Sequence, residues 1–481
     1  MHPRPRSSRR ASARRTSAPR TSARRGAVVA GALALLVGGA VAPATAAPAP
    51  FPGGTPCQQD APSRPTCLAG TLEDGTPFEF VVPADWDGTV VVALDFVGPG
   101  PTEALTQRLL AEGVARGGTT RAVTGWDIAA AIDNQAEALA RFEDAYGPAR
   151  TAVASGASMG GFVSAGVAQE HPDAFDGAVP MCGGLGGSVA QWDQKLDTVF
   201  VLEELVAPGL PVLQVDDVPT AQQAWISALT AAQQTPEGRA RIALAAAIGQ
   251  LPAWGVQPDG TQPPPPSRHD DAGLQQGAFL ALAGGPLPYI GQAMSSRRAL
   301  TAVAGGNPST NVGVDYARQL QTADPQARQL VRDLYRQAGL DLDADLGALA
   351  AAPRIAADPA ARERFAAGIV FDGQLEVPVL TLSPTGDQIS TVAQQQYYES
   401  LVRRAGSASL LRQTYTETVG HCTFSPAEQQ AAIDTLVQRV ETGHWPATSA
   451  PAMNQRAAAL GAEPAPRFVP FTPPRFNRPL D

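Results

Sequence analysis

Lysine is almost missing from this chain: Lys195 stands alone against 35 arginines, and histidine and cysteine are scarce, with five and four in 481 residues. Few histidines mean few candidates for a base that titrates near neutral pH. No His/Cys cluster has zinc-ligand spacing, and Asp270 and Asp271 beside His269 read as a solvated loop, so no metal is expected and a metallohydrolase is disfavoured. A long apolar run is also lacking, since the one at residues 26–42 is too short for a bilayer span. That run follows nine arginines without an acid and precedes Ala44-Thr45-Ala46. The pattern is that of a signal peptide, residues 1–46, cleaved near Ala46. The expected product is secreted and has no stable membrane insertion. Removing the leader leaves 27 basic residues against 45 acidic ones, a formal net charge of −18. Such a surface repels nucleic acid, which is therefore not an expected partner.

Disulfides persist outside the cell, so pairing is expected for the four cysteines. Cys57 and Cys67 are close in sequence and staple the mature N-terminal segment, which leaves Cys182 and Cys422 for each other.

The sequence is richer in alternating apolar strands and helices. Apolar runs at 89–94, 119–123, 149–155 and 177–181 read as strands, with a helix over 127–146 and another after Ser158. This alternation predicts an α/β fold, a mostly parallel doubly wound sheet with helices on both faces. It stops after Cys182 and resumes at 377–382. Residues 184–372 read as an inserted helical cap, with helices at 220–232, 238–250, 274–282 and 327–338. The core thus comprises 47–183 and 373–446. Its second part adds a helix at 392–405, a strand at 409–417 and a helix capped by Ser425-Pro426-Ala427-Glu428. Residues 447–481, with Phe468, Phe471 and Phe476, read as an extended Pro/Phe-rich strap on the body.

Gly156-Ala157-Ser158-Met159-Gly160 closes one strand and opens a helix. A serine in so tight a turn needs small neighbours, and Gly156 and Gly160 supply that room. The N–H of Met159, at the helix start, can stabilise an oxyanion formed at Ser158. A hydroxyl nucleophile also needs an imidazole base and a carboxylate to orient it. Once the leader is gone, His171, His269, His421 and His444 remain. His171 lies a helix length from Ser158, roughly 20 Å. His269 sits in a Pro-rich loop, and His444 follows the last helix. His421 falls in the loop after the last predicted strand and Asp387 in the loop after strand 377–382, on the sheet edge where parallel folds keep their sites.

Serine, acid and histidine, each just past a predicted parallel strand, stand in the order of the α/β-hydrolase triad. The chain resembles that superfamily over about residues 68–183 and 373–446. Within it the chain is similar to secreted actinobacterial serine hydrolases of esterase-like and prolyl-oligopeptidase-like type with a large cap. The resemblance implies that Ser158 attacks, His421 carries the proton and Asp387 orients it, without a cofactor. Where the superfamily has a His-Gly oxyanion loop, this chain has Asp95-Phe96-Val97-Gly98, so the second donor is the N–H of Phe96 or Val97. Tannases and feruloyl esterases also place cysteine after the histidine, but their partner cysteine precedes the serine. Here that position is Ala157, so Cys182 is the partner expected for Cys422. The expected activity is hydrolysis of a small-molecule or polymeric carboxylic ester through an acyl-enzyme, with Trp126 contributing to the pocket. The alternative is a peptidase or aminopeptidase of the same fold, which needs acids such as Asp193, Glu203, Asp216 or Asp217 around a substrate ammonium. A non-catalytic binding protein is the third reading, disfavoured because all three site residues are present.

Overall fold

The computed structural model describes residues 66–480. The leader at 1–46 and Cys57, the expected partner of Cys67, lie outside them. The strands are β1 (Thr66–Thr71), β2 (Pro77–Val82), β3 (Thr89–Ala93), β4 (Ala115–Thr119), β5 (Thr151–Ala157), β6 (Gly177–Met181), β7 (Val379–Gly386), β8 (Leu411–Val419) and β9 (Phe468–Val469). They form one sheet in the order β1-β2-β4-β3-β5-β6-β7-β8-β9. From β4 to β8 every pairing is parallel, while β1, β2 and β9 join antiparallel at the edges. All five residues of β3, Thr-Val-Val-Val-Ala, are buried, as a strand covered on both faces requires.

One face is covered by α2 (Ile128–Tyr146) and α3 (Met159–Glu170), the other by α1 (Ala104–Ala111). Asp127 caps α2 by accepting the Ala130 N–H, and Ile128, Ile132, Leu139 and Phe142 bury its apolar stripe. Between β6 and β7 the chain leaves the sheet as α4 (Gly187–Leu205), α5 (Val218–Ala232), α6 (Pro236–Ile248), α7 (Asp271–Ala283), α8 (Tyr289–Ala304), α9 (Tyr316–Thr322), α10 (Pro325–Ala338), α11 (Leu342–Ala351) and α12 (Pro359–Ala366). Trp225, Leu244, Val331 and Tyr335 give this insertion a core of its own. The chain then returns through α13 (Ala393–Arg404), α14 (Pro426–Thr442) and α15 (Ala450–Ala459). At the start of α14, Ser425 and Glu428 form the predicted capping box. The architecture is the α/β-hydrolase fold with a helical insertion.

Several local expectations are corrected. The strand read at 119–123 is β4, four residues earlier, because Gly117 and Gly118 disguise it. A Cβ on Gly118 would lie 1.8 Å from the Ala93 carbonyl oxygen, and one on Gly117 would lie 2.0 Å from the Phe80 ring. Close strand packing selects glycine there against its low strand propensity. The β1–β2 hairpin and α1 carry too little periodicity to be read. The tail is not extended throughout: it folds into α15 before β9 adds to the sheet.

Asp434 of α14 is half-buried, and this burial together with the nearby Glu112 lifts its carboxyl from 3.8 to about 7 against the pull of Arg456 and Arg108. The folded state therefore holds this proton to higher pH than the unfolded chain, and the stability it contributes falls as pH rises from about 4 to about 7. Asp434→Asn removes the ionisation. Its stability relative to the wild type should be greater at pH 8 than at pH 5, by roughly 1–3 kcal/mol, measured by denaturant unfolding. An equal difference at both pH values would refute this assignment.

Candidate active site

Ser158 joins β5 to α3 with φ 59° and ψ −120°, a conformation that costs about 1–3 kcal/mol for a residue with a side chain. Its surroundings hold it there. The Ser158 N–H donates to the Met181 carbonyl at 3.0 Å, and the Cys182 sulfur lies 3.3 Å away. A Cβ on Gly156 would sit 2.8 Å from the Gly160 backbone, and one on Gly161 would sit 2.3 Å from the Met181 oxygen. At Gly160 the added carbon would meet its nearest neighbour at 3.5 Å, an ordinary contact. The room expected of Gly156 and Gly160 is thus demanded at Gly156 and Gly161.

Gly420 follows β8, and the next residue, His421, turns its Nε2 to within 2.7 Å of Ser158 Oγ. Its Nδ1 lies 3.0 and 2.9 Å from the two oxygens of Asp387. Asp387, just past β7, has a fully buried side chain. Its Oδ1 also accepts the Ile389 and Ser390 N–H groups at 2.8 and 2.9 Å, so backbone donors hold the carboxylate in place. Hydroxyl, imidazole and carboxylate thus stand in one line at hydrogen-bond distances. Of the other histidines, His171 ends α3 and contacts Asp133 2.9 Å away, and His444 bonds within its own turn.

Cys182 and Cys422 form a disulfide with Cα atoms 5.4 Å apart. It joins the end of β6 to the residue after His421, and Cys422 Sγ lies 3.4 Å from His421 Nε2. The insertion also presses on both loops. A Cβ on Gly386 would come within 2.9 Å of the Trp254 ring, and one on Gly420 within 2.9 Å of the Val256 side chain.

The N–H groups of Met159 and Phe96 have no hydrogen-bond partner among the described residues, whereas that of Val97 donates to the Thr119 carbonyl at 3.3 Å. Val97 is therefore removed as a free donor, which leaves Phe96. Asp95 just before it has φ 65° and is gripped by Arg121, whose Nε lies 2.7 Å from Asp95 Oδ2. Trp126 packs edge-on against the buried Trp192, with centroids 5.3 Å apart. This is a packing role between core and insertion.

Sequence reasoning passed over Lys195 except as a compositional oddity. It is buried on α4, its Nζ donates to the Ile389 carbonyl at 2.8 Å, and the Tyr289 ring centroid lies 4.7 Å away. Burial pulls its pKa down to about 7, with the Asp387 charge acting the other way. Its being the sole lysine was the one signal available.

With this geometry in place, comparison with known proteins narrows the family. The chain is 32% identical over 445 residues to the o-phthalyl amidase of Xanthobacter agilis, covering 85% of this chain and 95% of that protein. The chain belongs to the family of that amidase. No protein-family profile matches the sequence. Among solved structures, the tannin acyl hydrolase of Aspergillus niger is similar at 15% identity, over 82% of each chain, with a TM-score of 0.38. Feruloyl esterase B of Aspergillus oryzae is similar at 14% identity, over 79% of this chain and 80% of that one, with a TM-score of 0.35. This member of the amidase family is a hydrolase with the α/β-hydrolase fold.

The disulfide bridges residues 240 apart and flanks the histidine. Closing so long a loop typically stabilises a fold by about 2–4 kcal/mol. Replacing Cys182 and Cys422 together by alanine should lower the unfolding midpoint and slow phosphonylation of Ser158 by a fluorophosphonate about tenfold. Unchanged labelling in the double variant would show that the bridge does not hold His421.

Proposed function

We propose that this protein is a secreted serine hydrolase that cleaves the amide of an aromatic carboxylic acid through an acyl-enzyme on Ser158. The observation that carries the reading is the position of His421, whose two ring nitrogens meet Ser158 at 2.7 Å and Asp387 at 2.9 Å. In the proposed cycle Ser158 Oγ adds to the scissile carbonyl while His421 Nε2 takes its proton. Asp387 holds the Nδ1–H and offsets the imidazolium charge. The N–H groups of Met159 and Phe96 donate to the oxyanion. His421 returns the proton to the departing amine, leaving the acyl ester on Ser158, and a water activated by the same nitrogen releases the acid.

The choice of an amide follows the relative, an o-phthalyl amidase matched along nearly its whole length. The carboxylic esters expected from the sequence are companion substrates, because the same acyl-enzyme forms from a carbonyl that is more electrophilic than that of an amide. Of the four acids that an aminopeptidase would draw on, three are otherwise engaged, and Asp216 is exposed. Asp193 pairs with Arg362 at 2.9 Å, Asp217 caps α5, and Glu203 accepts the Gly209 N–H. Secretion is supported by the leader pattern and the disulfide.

A fluorophosphonate should label the wild type and not Ser158→Ala. That variant should lose activity on anilides and nitrophenyl esters of aromatic acids by about 10⁴-fold or more in kcat. Labelling that survives the substitution would overturn the mechanism, and turnover of esters with none of anilides would return the substrate to the ester class.

A further inference from the structure

Lys195, the single lysine of the chain, lies on the first helix of the insertion and is only 3% exposed. Burying an ammonium is costly unless an anion or several acceptors meet it. Among the described residues its Nζ has one hydrogen-bond acceptor, the Ile389 carbonyl at 2.8 Å. The acids nearest in sequence, Asp193 and Asp197 on the same helix, pair with Arg362 and Arg478 instead. On the α8 side, Nζ lies over the Tyr289 ring, 4.7 Å from its centroid, and the Arg297 cation opposes its charge. Burial pushes the Tyr289 hydroxyl up, and it bonds Thr198 at 3.0 Å, so it stays neutral. Of the ionisable groups around Lys195, Asp387 is the one that favours the charged form.

The connection to that acid runs through one peptide unit. The carbonyl that Lys195 binds and the N–H of Ser390 belong to the same planar group, and this N–H donates to Asp387 Oδ1 at 2.9 Å. An ammonium on the carbonyl oxygen polarises the group and makes its N–H a stronger donor. The line from Ser158 Oγ through His421 to Asp387 therefore continues through the 389–390 peptide to a cation held by the insertion. A residue needed for packing alone would be better served by methionine, which fills a similar volume without a buried charge.

We propose that Lys195 is a positioning residue for the reaction, whose ammonium acts on Asp387 through the Ile389–Ser390 peptide and sets the pH at which His421 becomes a base. The proposal rests on the serine-hydrolase reading and deepens it by adding a member from the insertion. Lys195 and a protonated His421 are two cations that depend on one carboxylate, so each disfavours the other. The other groups meeting the His421 ring, the Ser158 hydroxyl and the Cys182–Cys422 disulfide, carry no charge. A charged Lys195 thus holds the His421 midpoint down and keeps the imidazole neutral at lower pH. This influence is present where Lys195 is charged, below about pH 7, and fades above it.

The pH dependence of fluorophosphonate labelling at Ser158 in the full chain reads the His421 midpoint without turnover. Lys195→Met should raise that midpoint by about half a unit or more, making labelling roughly threefold slower than in the wild type near pH 6 and close to it near pH 9. A purely structural role would lower the rate by the same factor at every pH. The sole lysine also allows a measurement that does not require this variant to fold. With lysine carrying a carbon isotope label at Cε, the protein gives one side-chain resonance whose titration reports Lys195 directly. Asp387→Asn should lower that midpoint by about one unit or more. A lysine midpoint unmoved by Asp387→Asn, or a labelling profile whose shape Lys195→Met leaves unchanged, would overturn the proposal while labelling itself proceeds. Absence of labelling in the wild type would instead remove the serine mechanism on which the proposal rests.

Discussion

The whole site depends on one backbone contact, the approach of the serine turn to the end of β6. Ser158 holds a conformation disfavoured for any residue with a side chain, and the Met181 carbonyl accepting its N–H is what keeps it there. The same oxygen would lie 2.3 Å from a Cβ on Gly161. A single carbonyl therefore fixes the serine and dictates glycine three positions later. The register of β5 against β6, which pairs Ala157 with Met181, places that carbonyl. A slip of one residue between these strands would remove it and turn the hydroxyl away from His421.

From that contact the constraint spreads through β6. The residue after Met181 is Cys182, which is bonded covalently to Cys422 beside the histidine. The serine turn, the end of β6 and the histidine loop thus share one short stretch of chain. The acid reaches the same point through backbone donors at Ile389 and Ser390, with Lys195 on the Ile389 carbonyl from the insertion side. Each of the three polar groups is held by something other than its partner in the line. Such support is what keeps a hydroxyl, an imidazole and a carboxylate aligned.

Residues Ser158, Asp387 and His421 were legible because each follows an apolar run at the same sheet edge, and chain order restricted their combination. The runs at 177–181 and 377–382 read well because buried parallel strands are continuously apolar. β4 read badly for the opposite reason: Arg116-Gly117-Gly118 has little strand propensity, and only contacts with β3 and Phe80, distant in sequence, account for the glycines. The loss of Val97 as an oxyanion donor was likewise hidden, since it depends on where the Thr119 carbonyl falls. Trp126 looked like a pocket residue because an aromatic near a predicted strand end suits either role. Its packing on Trp192, which lies 66 positions away in the insertion, decided the matter.

The insertion is tied down too firmly to behave as a free lid. Asp193 and Asp197 of α4 are buried, the first paired with Arg362 and the second with Arg478 of the tail at 3.1 Å. Burial pushes the Asp197 carboxyl up to about 6, with Arg478 opposing it. Removing Arg478 would leave a buried acid without its cation, which is strongly destabilising. The tail therefore clamps the insertion, while Trp254 and Val256 press the same insertion onto Gly386 and Gly420. A body held at both ends selects its substrate by the shape and charge of fixed walls.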